Sequence, residues 1–399
     1  LEVIGIELTD EERASLAEVN YHDEVVLGAK VVKKLYEALE EIFRISDATT
    51  YKELKAVLDS IKDNYSNYIT KDIVSPVLEA VELVLDSKVL AALLRPVMEK
   101  YLTQEVLGDY YEIASLNEEY QAQDLLSDLR SIIGAVNELV EFGAVELAQA
   151  YLTETDQEID LSDGNIEHLT NAISKLFDLE ILKVKKETIF DLVSKIASEK
   201  LEIEITDFDL NPVGGFANDG VHLGNAIVIL LEAIVNSKLE IKTLNDIVKL
   251  DFASIDFKSL ITQELVDSVV EAVKELTKMN ILREALPTVV NYAKAKLIPE
   301  EYLGVVEALT LEKANLATDV DTIVEIIEIL ASSGVVSYFE TEDVNIEEVY
   351  NNIVGKGLAK KIESLGMLKD NAEKIIEAVL ALEVIGIELT DEERASLAE

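Results

Sequence analysis

A chain of 399 residues with 79 acidic against 35 basic side chains carries a formal charge of −44, which repels phosphate backbones and anionic bilayers and so argues against nucleic-acid partners and electrostatic membrane docking. With 49% hydrophobic residues it is too apolar for a disordered chain, and the absence of Cys removes disulfides, thiolate metal sites and cysteine nucleophiles together. Only 5 Pro and 16 Gly, no Trp, and an excess of Leu, Ile, Val, Ala and Glu set an all-α fold as the expectation.

Taken in order, the first helix is signalled at Thr9, where Thr9-Asp10-Glu11-Glu12 has the spacing of a capping box. Leu16 and Val19 continue its apolar face. The same spacing recurs at Thr50 to Glu53 and at Ser115 to Glu118 and predicts two more helix starts. Ser75-Pro76 predicts another, with Pro at the first helical position, where no amide is lost. From there Val77, Val81, Val84 and Leu85 recur at steps of three and four, as one buried helical stripe requires. Val3 to Leu8, Leu201 to Ile205 and Val335 to Phe339 are the segments that would supply a minor extended component. Pro96 and Pro287 each follow a long apolar run and are expected to break a helix. The longest apolar run, Ala226 to Val235, is interrupted by Glu232 and is too short to span a bilayer.

A repeat lies inside the chain. Pro96, Tyr101, Tyr111, Leu125, Asp128 and Gly143 are matched by Pro287, Tyr292, Tyr302, Leu316, Asp319 and Gly334, each displaced by 191 residues without a gap. Ile132, Leu129 and Leu139 pair with Ile323, Val320 and Leu330, so the apolar positions agree. Two related helical halves are therefore expected, residues 1–197 and 198–381. The symmetry fails at Asp207 to His222, a Gly-containing loop that stands where the first half has a capped helix. Its Asp209, Asn211, Asn218 and Asp219 are oxygen donors of the kind Ca²⁺ takes, but their spacing is not that of an EF-hand, and a plain connecting loop is the favoured reading. His22, His168 and His222 make no convincing zinc site without Cys unless they converge with carboxylates, and surface or hydrogen-bonded histidines are the favoured reading. No nucleophile elbow, zincin helix, Walker motif or dinucleotide fingerprint occurs, and no catalytic residue or cofactor is expected.

The first 18 residues, LEVIGIELTDEERASLAE, return unchanged at Leu382 to Glu399, 381 residues on. The expectation is one full repeat of a tandem array, with residues 382–399 opening the next copy and neighbouring repeats as its partners. Ile4, Ile6, Leu8, Ile385, Ile387 and Leu389 are the residues expected to pack between copies. In organisation, through the duplicated segment, the acidity and the lack of Cys, the chain resembles the giant tandem-repeat surface proteins of bacteria. That resemblance implies a stalk, fibre or adhesin at the cell surface, acting by length and valency. A giant intracellular scaffold is the alternative, and an enzyme the least favoured.

Overall fold

The structure is a computed structural model that describes residues 6, 8–237, 239, 241–249, 261–296, 313–337 and 345–371. Every regular element among the described residues is a helix, and the one β-type contact is an isolated antiparallel bridge between Glu158 and Thr243. The all-α expectation therefore holds, and no strand forms in the described parts of the segments expected to be extended. Leu201 closes a π-type turn, Ile203 to Ile205 are irregular, and Val335 lies in a second π-type turn, Ala331–Val335. Of Val3 to Leu8 only Ile6 and Leu8 are described, and neither is in a strand; Tyr338 and Phe339 lie outside the described residues.

The chain divides into two compact units, Leu1–Val193 with Leu239–Ser254, and Ser194–Lys238 with Ile255–Glu399. The first contains α1 (Asp10–Ala17), α2 (Tyr21–Ser46), α3 (Tyr51–Ser60), α4 (Lys71–Leu85), α5 (Lys88–Tyr101), α6 (Gln104–Leu107) and α7 (Tyr111–Ala114). Then come α8 (Ala122–Phe142), α9 (Ala144–Leu152), α10 (Asp163–Phe177), α11 (Glu180–Val184) and α12 (Lys186–Ile196), the last of which crosses the division at its end. The second unit holds α13 (Asp219–Val235), whereas α14 (Leu244–Val248) returns to the first. There Ile159 donates its amide to the Lys242 carbonyl at 2.8 Å and Asn245 reaches the Thr155 carbonyl. The remaining helices, all in the second unit, are α15 (Gln263–Thr277), α16 (Asn280–Lys296), α17 (Lys313–Leu330), α18 (Ile346–Gly355), α19 (Leu358–Ser364) and α20 (Gly366–Asp370).

Local chemistry explains several helix starts. Thr9 and Thr50 form full capping boxes with Glu12 and Glu53, as their spacing predicts. Ser115 does not. It ends α7, and Asn117 instead turns the chain by accepting the amides of Glu119 and Tyr120, so that α8 begins only after a box between Gln121 and Asp124. The turn places Tyr120, 1% exposed, in the core. Nor is Pro76 a helix start. It sits in the second turn of α4, because the buried face already begins at Ile73 and recruits a turn upstream of the proline. The carbonyl deprived of its partner is that of Asp72, on the solvent side. Pro96 and Pro287 likewise lie inside α5 and α16 and break neither.

The two units share a plan. In the first, α2 packs against α4 and α8 against α10; in the second, α13 packs against α15 and α17 against α19. Each pair consists of a leading helix and a return helix, and each is followed within a few residues by a third helix: α5, α11, α16 and α20 respectively. The described chain thus contains four quarters, two in each unit, each built on a leading, a return and a third helix, with shorter helices between them. Within a unit the later leading helix lies on the return and third helices of the earlier quarter, α8 on α4 and α5, and α17 on α15 and α16. An arginine marks both junctions. Arg130 of α8 donates to the Leu85 carbonyl at the end of α4 at 2.7 Å and pairs with Asp86. Arg283 of α16 donates to the Thr277 carbonyl at the end of α15 at 2.5 Å and pairs with Asp321 of α17 at 2.6 Å. Asp321 stands 191 residues after Arg130, so corresponding positions supply an arginine to one junction and an aspartate to the other.

Candidate functional site

The arrangement repeated throughout the fold is a carboxylate clamp. In each quarter an acid in the first two turns of the leading helix accepts backbone amides at the start of the third helix. Asp128 takes the amides of Glu180 and Ile181 at 2.5 and 2.9 Å, and Asp219 those of Asn280 and Ile281 at 2.9 and 2.8 Å. Asp319 takes those of Gly366 and Met367 at 2.6 and 2.8 Å. The three aspartates are buried, at 3, 1 and 2% exposure. In the first quarter Glu24 does the same work with a longer arm, accepting the Lys88 amide at 2.9 Å and the Ser87 hydroxyl at 2.7 Å. A helix begins with amides that no carbonyl of its own can satisfy, and an anion placed there is favoured by both the hydrogen bonds and the helix dipole. The clamp therefore fixes where the third helix sits on the first. Asp128 carries a further load, the Tyr120 hydroxyl at 2.8 Å. Burial, followed by that bond to a carboxylate, raises the Tyr120 phenol above its ordinary value.

The loop that breaks the sequence symmetry runs only from Asp207 to Asn218, because Asp219 to His222 already form the first turn of α13. Phe208 and Phe216 stack across it with ring centroids 6.4 Å apart, and Gly214 and Gly215 take positive φ at 91° and 63°, where a side chain would be strained. It is tied to its own unit. The Asp209 amide donates to Glu284 at 2.8 Å, Lys313 donates to the Asp207 carbonyl at 2.5 Å, and Asn280 reaches the Gly215 carbonyl. The four oxygen donors are not used alike. Asp219 is buried and committed to its clamp, and Asp209 accepts the Asn211 amide at 2.8 Å. Asp209, Asn211 and Asn218 are exposed. Among the described residues no three carboxylate or imidazole groups gather as a metal would need. Val213 at the tip is 100% exposed.

Two of the three histidines bond a glutamate that a lysine shares. His168 approaches Glu138 at 2.7 Å, and Lys175 reaches the same carboxylate at 2.8 Å. His222 approaches Glu275 at 2.9 Å, with Lys278 and Asn225 on the same group. Burial alone would raise the Glu275 carboxyl, but the bonds from Lys278, His222 and Asn225 outweigh it and hold the group down to about 2. Glu138 is shifted downward by the same contest. His22 is exposed. Lys185, only 4% exposed, places its ammonium 2.9 Å from the Glu112 carbonyl near the end of α7, where a cation suits the helix dipole.

Of the residues expected to pack between copies, Ile6 is 3% exposed and Leu8 half-buried within this chain, whereas Ile4, Ile385, Ile387 and Leu389 lie outside the described residues. A more extensive apolar surface stands elsewhere. Tyr21, Val25, Val32 and Tyr36 form a stripe along α2 that is 59, 70, 66 and 57% exposed, and Ile346, Tyr350 and Val354 form another on α18. Sequence reasoning gave neither this surface nor the clamps. The clamps had left a signal, because Asp128 and Asp319 stand in register inside apolar stripes where a wet acid would be costly. Among the described residues no helix is long and apolar enough to cross a membrane. No protein-family model matches the chain, and neither a curated protein nor a solved structure is significantly similar to it.

Proposed function

We propose that the chain is a structural repeat of a very long protein of the cell surface or extracellular space, built of two related halves and stacked head to tail on identical neighbours. The observation that carries this reading is the exact return of Leu1 to Glu18 at Leu382 to Glu399. Segments kept identical over such a distance suit a protein selected for copy number, hence for reach or valency. The plan of the units agrees with it. A clamp used four times is what serial duplication of one helical quarter leaves behind, and such units stack into rods or superhelices. The unit acts by length and surface, without turnover of a substrate. Its acidity keeps many linked copies soluble and disfavours anionic partners. Weak contacts of single copies are multiplied by linkage when many are engaged at once.

Chains of two and four copies test the array. Their maximum dimension in small-angle scattering should rise in proportion to copy number, whereas independent beads on flexible joints would show a sublinear rise and refute the stacking. Location is tested separately by labelling intact cells with an antibody to this segment. Signal that appears only after permeabilisation would place the protein inside the cell as a scaffold.

A further inference from the structure

Three of the four residues of the exposed stripe on α2 have more covered counterparts elsewhere in the chain, the exception being Val32, which answers to half-buried Val136 and to Ile327, 43% exposed. With the clamping acids Glu24, Asp128 and Asp319 superposed, Tyr21 corresponds to Leu125 and Leu316, Val25 to Leu129 and Val320, and Tyr36 to Val140 and Ala331. Leu125, Leu129 and Val320 are half-buried, Leu316 is 7% exposed, and Val140 and Ala331 are 4 and 7% exposed. What distinguishes α8 and α17 from α2 is that an earlier quarter of their own unit lies on them. Its return helix, α4 or α15, makes the junction, with Lys71 bridging to Glu141 at 2.8 Å in one case and Lys274 to Glu328 at 3.0 Å in the other. The leading helix of the first quarter therefore presents an interface whose other half is absent from a single copy.

The geometry points to the occupant as the last quarter of the preceding copy, docking its α18 on α2 through Ile346, Tyr350 and Val354. This inference rests on the tandem reading and names the surfaces that the tandem uses. Three observations choose α18. It packs on α19, the return helix of the fourth quarter, and return helices are what make the two junctions already seen, through α4 and α15. Its apolar residues recur every four positions and are 78, 64 and 58% exposed, so they form one continuous unpartnered face. The flanking charges are complementary: Glu347 and Glu348 open α18, whereas Lys30 stands on α2 beside the stripe, with Lys33 and Lys34 shared with Glu37 and Glu79 of their own unit. The contact is heterologous, one face meeting a different face, so it propagates from copy to copy without closing.

The lack of Cys makes the test clean. In a two-copy chain, Tyr36→Cys is placed in either the first or the second copy and its reaction with a maleimide is timed. The cysteine in the second copy should react at least about tenfold more slowly, because only there does a preceding copy cover it. Tyr350→Cys should show the reverse order, protected in the first copy and open in the second. Both side chains are more than half exposed in the single chain, so neither change threatens folding. Equal rates in the two copies, for both positions, would overturn the docking. Scattering from the same chain then separates the two readings. A rod with equal rates leaves the array standing with its joint elsewhere, and independent beads with equal rates remove both.

Discussion

The first and second quarters of the same unit solve one problem with different chemistry. In the second, Asp128 is buried, holds two successive amides and a tyrosine hydroxyl, and comes from a helix that an earlier quarter covers. In the first, Glu24 is only half-buried, holds one amide and one serine hydroxyl, and belongs to a helix whose outer face is wet. A short acid fits where packing has already brought the helices together, whereas a longer one spans a looser and more solvated gap. Burial strengthens each bond to the carboxylate and raises the cost of losing it. The same clamp is therefore a core element in one place and a surface element in the other.

Removing the two acids breaks the comparison at its strongest point. Asp128→Ala leaves two buried amides and the Tyr120 hydroxyl without an acceptor and should cost about 3–5 kcal/mol. Glu24→Ala, with water free to replace the carboxylate, should cost about 1 kcal/mol. Urea midpoints of the two variants measure the difference, and equal losses would show that burial does not set the value of the clamp.

A second experiment asks whether the rule extends to carboxylates that hold cations. Glu275 is 8% exposed and its folded value lies at about 2, below the unfolded carboxylate value. Its contribution is therefore complete above the unfolded value and is lost as pH falls from about 4 toward 2, amounting to about 3 kcal/mol. Glu275→Gln should be less stable at neutral pH and should lose less stability between pH 4 and 2. A variant with the same acid slope as the parent would place the proton uptake elsewhere.

How much of this could be read in the sequence follows from the range of the interactions. The boxes at Thr9 and Thr50 are local, made by side chains three residues apart, and they stand as spaced. The box at Ser115 had the right letters but lost to Asn117, whose amide turn is better matched to delivering Tyr120 to the core. The prolines were misread because burial of an apolar face outweighs one missing hydrogen bond, a balance that no single position reveals. The clamps span 47 to 64 residues, so the acid and the amides it holds share no local pattern. Only the register of Asp128 with Asp319 hinted at them. The candidate calcium donors show the same limit, since Asp219 reads as a surface ligand in the loop but is spent on α16.

Glycine conformation gives a smaller effect that sharpens the likeness between quarters. Gly143 ends α8 at φ 95° and Gly334, 191 residues on, follows α17 at φ 97°. Any side chain at either place meets the left-handed region, and each change to Ala should cost about 1–2 kcal/mol. Matched losses are expected from thermal melts. A loss at one glycine alone would show that the two turns are not equivalent under load, despite their common angle.

The smallest effect expected is also the most discriminating. Val140 and Tyr36 hold corresponding positions in α8 and α2, but the first is 4% exposed and the second 57%. Val140→Ala removes two buried methyl groups beneath the junction with α4 and should cost about 1–3 kcal/mol. Tyr36→Ala in a single copy should change stability by less than about 0.5 kcal/mol, because its ring is already largely in water and alanine is a better helix former. In a chain of two copies the same Tyr36→Ala change, made in the second copy, should become costly if α2 is covered there, and should remain silent when made in the first. The contrast is internal to one molecule, so differences in solvent, temperature and denatured state cancel. A tyrosine that is silent in both copies would mean that the wet face of α2 is simply a surface, and that its likeness to α8 and α17 ends at the clamp.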